Sequence, residues 1–363
     1  MCIACETANK GTTGLDEFGG QFVGMINKAS AALMVSVGHR TGLFGALSEH
    51  GPATSEGLAR AAGLQERYVR EWLGAMTAAG FVECDGAGTT FSLADGWRPL
   101  LAGSNGEPTL GHLAEFIGMM GAVEDRIVRC FHEGGGVPYT AFPRFHEIML
   151  EESRQTVVDA LLEHILPLVP GLAVSLKNGI HVVDIGCGRG AALHLLASTF
   201  PKSLFVGYDL SAEAIDFARG RAAADGLVNL RFEVRDLSTF HDDAPEESFD
   251  LVLAFDAIHD QGRPDHVLRG IRRTLKPGGV FLMQDIGASS NVAENRDHPL
   301  GTLIYTISCM HCMTVSLAQG GLGLGAAWGE QLARQFLSDA GFGSIQRHTL
   351  PHDIQNYYYV VRP

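Results

Sequence analysis

The fold is decided by Val182-Val183-Asp184-Ile185-Gly186-Cys187-Gly188-Arg189-Gly190. A short apolar strand runs into glycines at alternate positions, and a helix opens directly behind them. Glycines so placed let the main chain pass close under a ligand, where a Cβ would clash. Alone, such a loop reads either as a nicotinamide dinucleotide site or as a plain tight turn. The spacing narrows the choice. Nicotinamide loops run G-x-G-x-x-G, whereas this one runs G-x-G-x-G with an acid, Asp184, two residues before the first glycine. A carboxylate there suits a cationic ligand, not a pyrophosphate. Nineteen residues past Gly190, Asp209 ends a second apolar run, where a carboxylate can take both hydroxyls of a ribose.

Working outward, Leu204–Asp209, Leu230–Val234, Leu251–Phe255 and Val280–Met283 read as further strands, the last after a Lys276-Pro277-Gly278-Gly279 turn. Ala-rich helical stretches separate them. Alternation of this kind predicts an α/β domain, a mostly parallel sheet with helices on both faces. Ser344–Thr349 and Tyr357–Val361 add two late strands. Asp250 reads as serving the entry to its strand and is left out of the site. Upstream, 108–175 reads as helical, broken at Gly134-Gly135-Gly136-Val137-Pro138-Tyr139, with Pro167 and Pro170 marking its exit. Residues 31–107 read as three helices and a hairpin, Phe81–Cys84 with Thr90–Leu93 around Asp85-Gly86-Ala87-Gly88, which makes a winged helix. One continuous helical spacing covers Leu33 to Leu47. Residues 1–30 form an N-terminal helical arm, Gly-rich and weakly patterned, becoming helical near Phe18. The domain from 176 to 363 carries an apolar insert at about 287–328.

Composition bounds the function. With 363 residues, 46% of them hydrophobic, the chain is long enough for two domains and a sizeable core. Asp and Glu number 41 against 27 Lys and Arg, for a net charge of −14, which argues against a protein that tracks nucleic acid. Met1-Cys2-Ile3-Ala4-Cys5-Glu6 has neither a basic nor an apolar leader region. The longest apolar stretch, Leu303 to Leu317, contains Ser, Thr and His and is short for a span. The expectation is a cytoplasmic protein with reduced thiols and no membrane partner.

Arg235-Asp236-Leu237 after the third strand, Phe249-Asp250 before the fourth and Leu275-Lys276-Pro277-Gly278-Gly279 before the fifth complete a set. With the glycine loop and Asp209, that set resembles the class I S-adenosylmethionine-dependent methyltransferases over roughly 177–363. The resemblance implies a Rossmann-like domain with a seven-stranded sheet and S-adenosylmethionine as cofactor. It implies that Asp184, Gly186 and Gly188, with Cys187 between them as a small tolerated residue, line the methionine end. Asp209 would hold the ribose, Leu210, Asp236 and Leu237 the adenine, and Phe255 and Asp256 would flank the cofactor. The whole chain is similar to winged-helix/methyltransferase fusions of mycobacterial type, through Glu66–Leu73, Gly134–Tyr139, Phe255–Gln261 and His311–Ala318. The layout also resembles small-molecule O-methyltransferases, whose winged helix dimerises, which implies a homodimer.

Methyl transfer is an in-line displacement in which the nucleophile must be aligned, freed of its proton and kept from water. His259, after the fourth strand, and His311, in the apolar insert, are the candidate bases; each also reads as a core histidine. Asp260 either orients His259 or caps a helix. Asp285, at the end of the fifth strand, faces the cleft. Tyr139 and Phe142 roof a substrate pocket or simply fill their loop, and Cys312 stands on the substrate side. Cys309-Met310-His311-Cys312 and Cys2-x-x-Cys5 carry thiol spacings a zinc site uses. The stretch around Cys309 has the apolarity of a buried helix, so no metal is expected. Arg67 and Arg70 could read DNA in a cofactor-responsive regulator, but Glu66 and Glu71 stand beside them. The sequence favours an enzyme acting on a small, largely apolar acceptor at oxygen or sulfur.

Overall fold

The computed structural model describes residues 3–103 and 109–363, and the chain divides into two compact units, Met1–Gly118 and Met119–Pro363. Cys2 and the side chain of Cys5 lie outside what is described.

The first unit opens on a helix that runs unbroken from Ile3 to Arg40. The sequence reading starts the helix of this arm near Phe18; the structure starts it at Ile3. Glycine costs a helix about 1 kcal/mol per position, but it does not forbid one. The single spacing expected from Leu33 to Leu47 is also corrected. The helix stops at Arg40 and a second, Leu43–His50, starts after Gly42, whose φ of 70° a helix interior does not accept. Thr54 caps Ser55–Ala62, its Oγ1 accepting from Gly57 N at 3.1 Å, and Gly63 ends that helix in the left-handed region. Glu66–Ala78 buries Val69, Trp72, Leu73 and Met76. The wing is β1 (Val82–Cys84) and β2 (Phe91–Leu93), antiparallel, with Val82 opposite Leu93. Trp72 holds the core together: its indole donates to Met34 O at 2.9 Å, and a Cβ on Gly38 would stand 2.7 Å from its ring.

The second unit is built on one seven-stranded sheet. Its strands are β3 (His181–Ile185), β4 (Leu204–Asp209), β5 (Leu230–Val234), β6 (Phe249–Phe255), β7 (Leu275–Ile286), β8 (Ser344–Leu350) and β9 (Asp353–Arg362). The order is β5-β4-β3-β6-β7-β9-β8, parallel from β5 to β7, with β9 antiparallel to both its neighbours. Alternate residues feed opposite faces, as a strand period of two requires. Val182 joins Leu193, Leu196, Leu251 and Leu253 in one core, while Val183 and Ile185 join Val252, Leu268, Ile271 and Phe281 in the other. Asp250 stitches the strand entries, accepting from His181 N at 2.9 Å and Lys276 Nζ at 2.7 Å. The chain order reverses between β3 and β6, which leaves a crevice at their carboxyl ends.

Three π-helical turns interrupt the helices of this unit, at Arg154–Val158, Leu161–Ile165 and Ser308–Cys312. The run Gly301–Ala318 is long and apolar enough to cross a membrane by length and composition. Its polar groups instead serve the globule: Thr314 Oγ1 accepts from Val137 N at 2.8 Å, and Ser316 Oγ donates to Gln261 O at 2.9 Å.

Candidate functional site

Two groups of side chains gather at the crevice. The first forms a cradle on β3 and β4. Gly186, Gly188 and Gly190 all have positive φ, 72°, 51° and 72°. A Cβ on Gly186 would meet the Ala257 side chain at 2.5 Å, and one on Gly190 would meet the Phe232 ring at 2.4 Å. Beside Gly188 there is open space, so the main chain is bare there. Asp209 pins the two loops together: Oδ2 accepts from Gly188 N and Oδ1 from Ser211 N, both at 2.8 Å. Asp184 is buried and its Oδ1 has no partner. Burial, with the Asp209 charge behind it, pushes its carboxyl up to about 8. Cys187 packs toward Gly207, and burial holds its thiol well above the usual range, as fits a packing residue.

Asp256 follows β6 at φ 49°, with a buried, unpartnered Oδ1. Burial first, then Asp285, pushes its carboxyl up. Phe255 packs against the core that holds Val182. Leu210 is 45% exposed at the rim. Asp236 is exposed and accepts from Ser238 N at 2.8 Å, while Leu237 is buried in the core with Phe240. His146 is a residue the sequence reading missed. Its Nε2 stands 3.9 Å from Glu213, it feels the Asp209 charge, and burial lowers its pKa. No spacing links its short helix, Phe145–Ser153, to β4.

The second group lies around His259. Its Nδ1 is 2.7 Å from Asp285 Oδ1, which also accepts from Trp328 Nε1 at 3.0 Å and Ile286 N at 2.8 Å. Its Nε2 is 3.2 Å from Asp260 Oδ1. Burial alone would lower the His259 pKa; the two carboxylates overcome it and raise it well above the usual histidine value. Tyr139 donates to Asp260 Oδ2 at 3.1 Å. His311 Nδ1 lies 4.0 Å from the same oxygen, and its buried Nε2 has no partner. Phe145 stacks on the His311 ring at 4.1 Å, and Phe142 meets its edge at 4.6 Å. That burial drops His311 to about 4, so its ring is neutral. The loop that delivers Tyr139 is clasped onto Met313–Ala318: a Cβ on Gly136 would stand 2.0 Å from Thr314 O. The structure thus brings together His259, His311, Tyr139, Phe142, Asp285 and Cys312, along with Phe145, which no sequence signal marks.

Residues 176–339 match the model of a methyltransferase domain, and 29–101 match that of an Rv2258c-like winged helix-turn-helix domain. The chain joins a methyltransferase domain to a winged helix-turn-helix domain. Over 117 residues, 32% of this chain and 41% of the relative, it is 34% identical to the fatty-acid O-methyltransferase of Mycolicibacterium smegmatis. The chain thus spans less than half the length of that curated relative. Its fold is that of the mitomycin 7-O-methyltransferase MmcR (TM-score 0.67, 17% identity, 97% of this chain and 100% of that one). It is also that of human N-acetylserotonin methyltransferase in complex with SAM (TM-score 0.65, 19% identity, 94% and 96%). The cradle on β3 and β4 fits S-adenosylmethionine, the ligand named for that solved neighbour. The unpartnered Asp184 carboxyl suits its cationic amino-acid end, Asp209 its ribose, and the bare Gly188 main chain a close approach.

Proposed function

We propose that the chain moves the methyl group of S-adenosylmethionine to the oxygen or sulfur of a small, largely apolar acceptor. His311 carries this reading: a neutral imidazole among aromatic rings, with a buried Nε2 that nothing in the chain satisfies. A buried polar atom left unpaired costs about 1–3 kcal/mol, which an acceptor hydroxyl or thiol would relieve.

S-adenosylmethionine supplies the electrophilic methyl on its sulfonium. Asp184 and Asp209 hold the cofactor's amino-acid end and ribose. Phe142, Phe145 and Tyr139 wall the acceptor and exclude water. His311 Nε2 accepts the acceptor's hydrogen bond and then its proton. The ring, once charged, draws on Asp260 Oδ2, 4.0 Å from its Nδ1 and due to close as the ring charges. His259 is already charged between Asp285 and Asp260, so it positions Asp260 and does not itself take the proton. The two histidines that the sequence cast alike divide the work.

The winged helix supports an assembly role. Arg70 is paired with Glu66 at 2.8 Å and Arg67 with Glu71, so neither is offered to a phosphate. Phe18, Phe22, Met25, Ile26, Leu33 and Val37 instead leave an apolar stripe exposed along Ile3–Arg40, which fits a homodimer. Cys84, Cys130, Cys187, Cys309 and Cys312 are free thiols, in keeping with the cytoplasm.

The test is S-adenosylhomocysteine production, read by mass spectrometry with a panel of small thiols and phenols. His311→Ala should lower turnover by about 10²–10⁴-fold while cofactor affinity stays put. Unchanged turnover in both His311→Ala and His259→Ala would refute the assigned roles.

A further inference from the structure

We propose that His259, Asp260 and Cys312 form a site for a divalent transition metal of the zinc class, with the fourth coordination position left open. One ligand atom from each residue lies within 4.8 Å of the others, and all three residues are buried. His259 Nε2 and Asp260 Oδ1 are 3.2 Å apart. Two ligands at about 2.0–2.2 Å from a tetrahedral ion stand at about that separation. The two form an ion pair, and Asp260 Oδ1 has no hydrogen-bond partner and is closed off from solvent. The Cys312 thiol meets both residues.

The surroundings are those of a ligating histidine. Metal-bound imidazoles donate their other N–H to a carboxylate, which fixes the ring and its tautomer. Here Asp285 takes Nδ1 at 2.7 Å and is itself anchored by Trp328 Nε1 and Ile286 N. Nitrogen, thiolate and carboxylate together select zinc or cobalt over calcium or magnesium, and three protein ligands leave the position that reactive zinc sites keep. Protons balance. On metal binding, one leaves His259 Nε2 and one leaves Cys312 Sγ for solvent, and the two charges of the ion replace them. The thiol pair seen in the sequence is not this ligand set: Cys309 is half-buried outside the group, and only Cys312 belongs to it.

This inference does not rest on methyl transfer, since binding is measured without cofactor or acceptor; the charged His259 described above belongs to the metal-free chain, and the metal-bound chain is a separate state of it. The full chain, stripped with chelator, is titrated with Zn²⁺ by calorimetry and with Co²⁺ by absorbance. One equivalent is expected, with a thiolate-to-cobalt charge-transfer band. The band should vanish in Cys312→Ser and persist in Cys309→Ser and Cys84→Ser. Asp285→Asn should weaken binding by about 10–100-fold. Absence of stoichiometric metal in the folded wild type overturns the site. So does a band that survives Cys312→Ser, is lost in Cys309→Ser, or never forms. Should Cys312→Ser fail to fold, the wild-type spectrum and Cys309→Ser still decide.

Discussion

Asp184 makes cofactor binding depend on pH in a way that can be worked out beforehand. Its carboxyl, ordinarily near 3.8, is pushed up to about 8 by burial and by Asp209. If only the carboxylate receives a cationic ligand, roughly 1% of the empty protein is competent at pH 6, roughly 9% at pH 7 and roughly half at pH 8. The ligand's own α-ammonium, with a pKa of about 8, is half lost at pH 8, so apparent affinity for S-adenosylmethionine should rise about 25-fold from pH 6 to pH 8. Above pH 8 further loss of that proton turns the curve over. Calorimetric titration across this range measures the acid limb. Asp184→Asn should bind weakly and lack that limb. Stability runs the other way. The pKa in the fold lies above the unfolded value, so the unfolded chain holds fewer protons between pH 3.8 and about 8, and the empty fold loses stability as pH rises through that window. At about 1.4 kcal/mol per pH unit the loss is on the order of 5 kcal/mol. Asp184→Asn should thus raise the melting temperature of the empty protein at pH 8. A wild-type affinity that is flat from pH 6 to 8, or an equal slope in the variant, would refute the reasoning.

Gly136→Ala should destabilise the protein by about 1–3 kcal/mol in a thermal melt, because the new methyl meets Thr314 O at 2.0 Å and both partners are main chain. Tyr139→Phe keeps the ring but removes the O–H that Asp260 Oδ2 accepts. Turnover should fall roughly tenfold, for about 1.4 kcal/mol of lost positioning, with cofactor affinity unchanged in the same titration. Phe22→Glu puts a charge in the middle of the exposed stripe on Ile3–Arg40; under the proposed homodimer, light scattering should read a dimer for the wild type and a monomer for the variant.

Much of the second unit was legible because its signals are local. An apolar run ending at Asp184, glycines at alternate positions and an acid at Asp209 each constrain neighbouring main chain, and the structure joins them through the Gly188 N–Asp209 contact. The acceptor side was legible only as candidates. His259 and Asp260 are adjacent in sequence, but what they do depends on Asp285 on β7, Tyr139 on a loop 121 positions away, and a histidine in the insert. Nothing in the sequence marks Phe145 as the ring that covers His311, since a phenylalanine on a short helix reads as core. The start of the long first helix was placed late for a related reason: glycine counts report intrinsic preference, and the continuous helix overrides it.

The π turn at Ser308–Cys312 places the site in a matter of register. A π turn carries one residue more than the α turn it interrupts, and each residue turns an α-helix by about 100°. Deleting one residue from Ser308–Cys312 would let the helix close as a regular one: the wide turn absorbs its extra residue, so Met313–Ala318 keeps its face relative to Gly301–Ile307, while the side chains of the turn itself, His311 and Cys312 among them, are re-aimed. Thr314 would keep Val137 and the loop bearing Tyr139 its clasp, while His311 would lose its place between the rings of Phe142 and Phe145. The cradle on β3 and β4 would be untouched. In this chain, what is held against the cofactor and what holds the cofactor are separable by the length of a single helix, so relatives can diverge in acceptor by insertion and deletion while every cradle residue stays the same.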